Sequence, residues 1–135
     1  MPRFKSRIDG LMQRKTSWVC PCCTGLLSGK GAVCNHCEKS AVHFASNAEL
    51  KRYRELLWLL KAGKIETLIL QPRFDLVING HNLGFHKADF KYLDVRLNEH
   101  IYEDVKSRGS NDAYSRLKRE LVYAIHGIKI EEIYT

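Results

Sequence analysis

The sequence predicts an α/β domain preceded by a small cysteine-knuckle module, and three observations carry that prediction. Two stretches place apolar residues at helical spacing. Short strand-like runs bounded by turn residues lie between and after them. Ahead of both come two C-x-x-C pairs. At 135 residues the chain suits one domain, with the knuckles as an appended module, and 44% hydrophobic with 27% charged residues is ordinary for a globular protein. The expected division is residues 1–44 for the basic, cysteine-bearing segment and 45–135 for the α/β domain. No apolar run approaches the roughly 20 residues that span a bilayer, and no signal-peptide pattern is present, so the expected location is the cytoplasm, with no membrane partner.

The formal net charge is +7 and it is unevenly spread. Residues 1–45 carry seven Lys or Arg against Asp9 and Glu38, whereas the remaining ninety are nearly balanced. An N-terminal arm of this kind, with Arg14, Lys15 and Lys30, suits an anionic partner such as DNA. A solvated basic tail is the alternative.

Met1 to Ser17 is weakly patterned. Cys20-Pro21-Cys22-Cys23 and Cys34-Asn35-His36-Cys37 follow, ten residues apart. Two such knuckles at this separation read as a tetrahedral zinc site, with Cys20, Cys23, Cys34 and Cys37 as ligands and Cys22 as the odd thiol. His36 is an alternative ligand that the regular spacing disfavours. Four thiolates around Zn2+ carry a formal charge of about −2, which lowers the local positive excess. With no coordination position left open, such a zinc is structural.

Ser46 opens the first helix, which runs to about Ala62 and stops at Gly63. Ser46 and Glu49 fit a capping box. Leu50, Tyr53, Leu56, Leu57 and Leu60 form the apolar stripe. Glu49 falls within the arc of that stripe, where a carboxylate needs a cation or hydrogen bonds to receive it. Two duties are therefore open to it: capping, and a direct or water-mediated role at a metal.

Strand-like runs cover Ile65 to Leu70, Phe74 to Ile78, Gly84 to Leu93 and Ile101 to Lys106. Gln71-Pro72 interrupts the first pair, and Asn79-Gly80 marks a hairpin turn. His81 and His86 read as loop or strand-edge residues. A polar loop from Ser107 to Asp112 leads into the second helix, which places Tyr114, Leu117, Leu121 and Ile125 on one face and Arg116 and Arg119 on the other. Gly127 ends that helix, and Ile128 to Tyr134 reads as the last strand.

The chemistry is concentrated at Asp89 and at Asp104-Val105-Lys106. Asp104 and Lys106 are two apart, so on a strand both side chains leave the same face. If the runs 84–93 and 101–106 pair as antiparallel neighbours, two carboxylates and an ammonium converge at one sheet edge. Two acids that close repel unless a cation lies between them, and a hard divalent ion with oxygen ligands meets that need. Lys106 can then hold a water or a phosphate oxygen as charge develops, which is the machinery for cutting a phosphodiester. A surface strand with paired charges fits the same residues. Arg108, Arg116, Lys118 and Arg119 follow directly, where they either hold a backbone phosphate or form a solvated helix face.

Glu49-x-x-Arg52-Tyr53, Gln71-Pro72-x-Phe74, Ala88-Asp89-Phe90 and Glu103-Asp104-Val105-Lys106 stand in that order on a helix–strand–strand–strand–helix–strand pattern. This arrangement resembles the PD-(D/E)xK nuclease superfamily, the restriction-endonuclease-like fold that includes archaeal Holliday-junction resolvases, and more closely a family of small phage-encoded members. The resemblance covers about two-thirds of the chain. It implies an αβββαβ core with a mixed sheet flanked by helices. It implies Mg2+ (or Mn2+) bound by Asp89, Asp104 and the Val105 backbone carbonyl, with Glu49 completing the site or holding a second metal. Lys106 would activate the attacking water, and Gln71, Ser107 and Arg108 would support it. Ala88 stands where the family's signature proline is expected, and the zinc knuckles are an addition to the core fold. The implied partner is DNA, branched or duplex, cut by a homodimer in recombination or processing. If the chain is phage-encoded, its location is the host cytoplasm. The competing expectations are a catalytically inactive zinc-containing DNA-binding or interaction protein, and a zinc-ribbon adaptor for protein partners.

Overall fold

The computed structural model describes residues 17–106 and 112–135, and the chain divides into two compact units, Met1–Arg54 and Glu55–Thr135. The division falls inside the first helix. Among the described residues, no helix is long and apolar enough to cross a membrane.

In the first unit, β1 (Ser17–Val19) pairs antiparallel with β2 (Val42–Phe44), which brings together the two ends of the cysteine-bearing segment. Val19 and Phe44 are buried, and the Phe44 ring packs on Tyr53 with centroids 4.9 Å apart. The Tyr53 hydroxyl donates to the Pro21 carbonyl at 2.5 Å, and burial pushes its pKa up to about 12. Helix α1 (Asn47–Lys61) is capped by Ser46, whose Oγ accepts from the Glu49 N–H, while Glu49 Oε2 reaches one residue past the cap to accept from the Ala45 N–H, each at 3.2 Å. It stops at Gly63, whose φ of 72° suits glycine and lets the Lys64 N–H reach the Leu59 carbonyl. Leu50, Tyr53 and Leu56 of the apolar stripe are buried.

The second unit is built on a four-stranded sheet ordered β3 (Ile65–Leu70), β6 (Phe90–Asp94), β7 (Glu99–Lys106), β8 (Glu131–Tyr134). The first two pairings are antiparallel and β7–β8 is parallel, so the sheet is mixed. The expected run from Gly84 to Leu93 is not one strand. It breaks at Ala88-Asp89 into β5 (His81–Lys87) and β6. Nor does Phe74 to Ile78 join the sheet: β4 (Arg73–Ile78) pairs only with β5, as a separate hairpin.

The physical cause lies at Gln71-Pro72 and its partner Ala88-Asp89. Pro72 has no N–H to continue the ladder, and Gln71 turns the chain away with φ at 51°. The Ala88 N–H then donates to the Pro72 carbonyl, and the Gln71 N–H to the Asp89 carbonyl, so the hairpin leaves and re-enters the sheet at one point. Its turn is the Asn79-Gly80 pair, both at positive φ (51° and 78°) between Ile78 and His81, as a two-residue type I′ loop requires. Between the first helix and the second (α2, Ala113–His126) the chain thus forms five strands rather than three, three of them in the mixed sheet and two in the hairpin, and β8 follows.

Helix α2 (Ala113–His126) is capped by Asp112, whose carboxylate accepts from the Tyr114 N–H at 3.0 Å and the Ser115 hydroxyl at 2.8 Å. These bonds hold its pKa below the usual carboxylate range. Gly127 ends the helix at φ 69°. Val122 of α2 packs with Phe74 and Leu76 of the hairpin, Ala88, and Ile130, with Tyr102, Leu121 and Ile125 around them. The buried face differs from the expected one. Tyr114 and Leu117 are exposed, whereas Arg119 is buried. The last strand is also shorter than the run Ile128 to Tyr134, because Ile130 is spent on the core before pairing begins at Glu131.

Candidate functional site

Two sites emerge, one in each unit. In the first, each knuckle is a tight turn closed by backbone bonds. The Cys20 N–H donates to the Gly25 carbonyl and the Thr24 N–H to the Cys20 carbonyl. The second knuckle repeats this, Cys34 N–H to Lys39 and Glu38 N–H to Cys34. Isolated bridges, Val19 to Leu26 and Val33 to Ser40, flank the two turns. The geometry gathers the Sγ atoms of Cys20, Cys23, Cys34 and Cys37 within 4.8 Å of one another, with Cys23 and Cys34 at 3.9 Å. A tetrahedral ion with bonds of about 2.3 Å requires sulfurs about 3.8 Å apart, so the cluster fits a metal such as zinc. The Cys23 backbone N–H lowers the Cys20 thiol to about 7, which favours the ligating thiolate, while desolvation and the facing sulfurs push Cys37 up. Cys22 and His36 are exposed and lie outside the group.

In the second unit, the break at Ala88-Asp89 places Asp89 directly before β6, beside β7. Asp89 Oδ2 accepts the Val105 N–H at 2.7 Å, and the Asp89 N–H donates to the Glu103 carbonyl at 2.9 Å. Asp89 is thereby fastened to the residue that separates Asp104 from Lys106. Strand alternation sends Asp104 and Lys106 to the same face of β7, and Glu103 and Val105 to the other. Glu103 is buried and accepts the Tyr92 hydroxyl at 2.5 Å.

Asp104 is 3% exposed and is not alone. His86 Nε2 donates to its Oδ2 at 3.0 Å, and Arg119 Nη1 lies 3.6 Å from the same oxygen. Arg119 Nη2 in turn pairs with Glu132 on β8. A chain of charges and donors, His86–Asp104–Arg119–Glu132, therefore links β5, β7, α2 and β8. Unpaired, a carboxylate at this depth would be costly, and the guanidinium and imidazole offset that cost. Arg119 and Glu132 also line a cleft of about 650 Å3 between α2 and β8, together with Arg116, Tyr123 and Lys129.

Of the expected metal-binding acids, Asp89 and Asp104 are brought to one end of β7. Glu49 belongs to the first unit, where its carboxylate caps α1. Among the described residues, only the cysteines form a group of three or more His, Cys, Asp or Glu with ligand atoms drawn that close. Of the expected DNA-contacting cations, Lys30 and Arg116 are exposed, whereas Arg119 is turned inward by Asp104 and Glu132. Arg14, Lys15 and Arg108, with Ser107, lie outside the described residues.

His86 and Glu132 were not expected at this site. The available signal was the alternation of β5, in which Gly84 and His86 share one side and Phe85 and Lys87 the other. That pattern sends a histidine inward and a phenylalanine outward, against hydrophobic expectation. A scan against family models, a search of curated proteins and a search of solved structures each return no match for this chain.

Proposed function

We propose that the chain is a Mg2+-dependent DNA endonuclease with a structural zinc module, acting on branched or duplex DNA, with a four-way junction as the preferred substrate. The observation that carries this reading is the 2.7 Å bond from the Val105 N–H to Asp89 Oδ2. It holds one acid against the strand that bears Asp104 and Lys106, where a shared divalent ion and a polarised water both have use. The mixed four-stranded sheet, with helices before and after its first three strands in the chain and the β4–β5 hairpin inserted between β3 and β6, supports this reading.

Asp89, Asp104 and the Val105 carbonyl supply oxygen ligands. Mg2+ or Mn2+ held there would polarise the phosphate and lower the pKa of water. Lys106 orients the attacking water and offsets charge developing on the phosphate. Arg119 and His86 both approach Asp104 Oδ2 and fix the orientation of its carboxylate. In the first unit, four cysteines close the zinc site, so that ion orders the knuckles and takes no part in hydrolysis. A homodimer would present two such sites to opposed strands.

A second reading is favoured by one observation: Asp104 Oδ2 is already engaged by His86 and Arg119. A zinc-containing DNA-binding protein that does not cut would keep that network as a purely structural tie.

The test is cleavage of a labelled panel (four-way junction, flap, duplex and single strand) with Mg2+, with chelator, and with Asp89→Asn and Asp104→Asn. Paired nicks in the junction that vanish with chelator and in both variants support the resolvase reading. Cutting confined to other substrates keeps the nuclease and discards the junction preference. Binding without cutting assigns the second reading.

A further inference from the structure

The β4–β5 hairpin has an inner side, with Phe74, Leu76 and His86 buried, and an outer side bearing Arg73, Phe85 and Lys87. Phe85 is 39% exposed at a position where alternation on a half-buried hairpin favours a polar residue. Cations surround it. The Arg73 guanidinium lies 4.0 Å from the ring centroid, Lys87 Nζ 5.8 Å and Lys118 Nζ 6.0 Å. Lys118, which comes from α2, also stands 4.8 Å from the ring of Tyr114, itself 64% exposed. Three cations from three elements thus meet around two open rings. Asp75 takes a hydrogen bond from Arg73 Nε at 3.1 Å, but both side chains are more than half exposed, and water screens that pair.

Like charges gather at a cost, and here ring faces and one exposed carboxylate, Asp75, receive them. The complementary partner is a polyanion whose own π faces are open. Single-stranded nucleic acid has both properties, whereas a duplex hides its base faces within the stack. We propose that Phe85, Tyr114, Arg73, Lys87 and Lys118 form a binding surface for single-stranded DNA, the rings stacking bases and the cations tracking phosphates. The choice of DNA rests on the endonuclease reading, in which this surface would hold an unpaired arm of a branched substrate.

The test uses the full chain in chelator, so that no strand is cut, and a fluorescent oligo(dT) titrated over a range of salt. Phe85→Leu combined with Tyr114→Leu is expected to weaken binding about thirtyfold or more with an unchanged salt slope. Arg73→Gln, Lys87→Gln and Lys118→Gln together should flatten the slope of log K against log salt by about 2, at about 0.7 per phosphate contact. Phe85→Tyr, which keeps the ring, should bind as wild type does. Ring variants that bind like wild type overturn the surface, as does a Phe85→Tyr loss equal to that of Phe85→Leu. Tighter binding of oligo(rU) or of duplex overturns the choice of partner. A wild-type chain that binds no DNA overturns this proposal together with the endonuclease reading. Binding that ignores all five residues overturns this proposal alone.

Discussion

Arg119→Met tests whether the buried charge chain holds the second unit together. Methionine keeps most of the apolar stem and removes the guanidinium. Asp104, 3% exposed, then faces only His86, and Glu132 loses its partner on α2. Removing one member of a buried pair typically costs about 3–5 kcal/mol, because the remaining charge is left uncompensated. Glu132 has a third of its side-chain surface open and can rehydrate, so the lower end, about 3 kcal/mol, is expected. For a unit of this size that is a fall in melting temperature of roughly 12–24 °C. Asp104→Asn in the Arg119→Met background should cost far less than the two single losses together, with a coupling of about 1.5–3 kcal/mol in a double-mutant cycle. The assay is urea denaturation followed by far-UV circular dichroism. A loss under about 1 kcal/mol for Arg119→Met, or additive losses in the cycle, would refute a buried network centred on Asp104.

Other outcomes are expected from separate parts of the chain. The purified protein should carry one zinc per chain by elemental analysis, and Cys34→Ser should lose it together with protease resistance of the first unit. Cobalt substitution should give the thiolate charge-transfer bands of a tetrahedral site, and their absence would count against four sulfur ligands. Leu76→Ala, at a fully buried position in the hairpin core, should cost about 3 kcal/mol in the same urea assay. The folded pKa of Asp112 lies below its unfolded value, so its contribution is present above the ordinary carboxylate range and is lost as pH falls through the depressed value. The stability gap between wild type and Asp112→Ala should therefore be wider at about pH 6 than at about pH 3, and an equal gap would contradict the cap.

The features legible in the sequence are those decided by residues close together along the chain. The knuckle ligands stand at a spacing that only a tight turn can use, and the structure gathers Cys20, Cys23, Cys34 and Cys37. Ser46 and Glu49 cap a helix, Asn79-Gly80 makes a type I′ turn, and Gly127 ends α2, each through bonds spanning a few residues. Tertiary structure decided which strands share a sheet, because Phe74 to Ile78 is as good a strand alone as any other. Only the junction of Pro72 with Ala88 sends it into a hairpin. The inward turn of Arg119 could not be read from helix periodicity, which scores a guanidinium as solvent-seeking. Its position is set by carboxylates at 104 and 132, as the depth of Asp104 is set by residues 86 and 119. A charge is buried where its partners are, and those partners arrive from four separate elements of the fold.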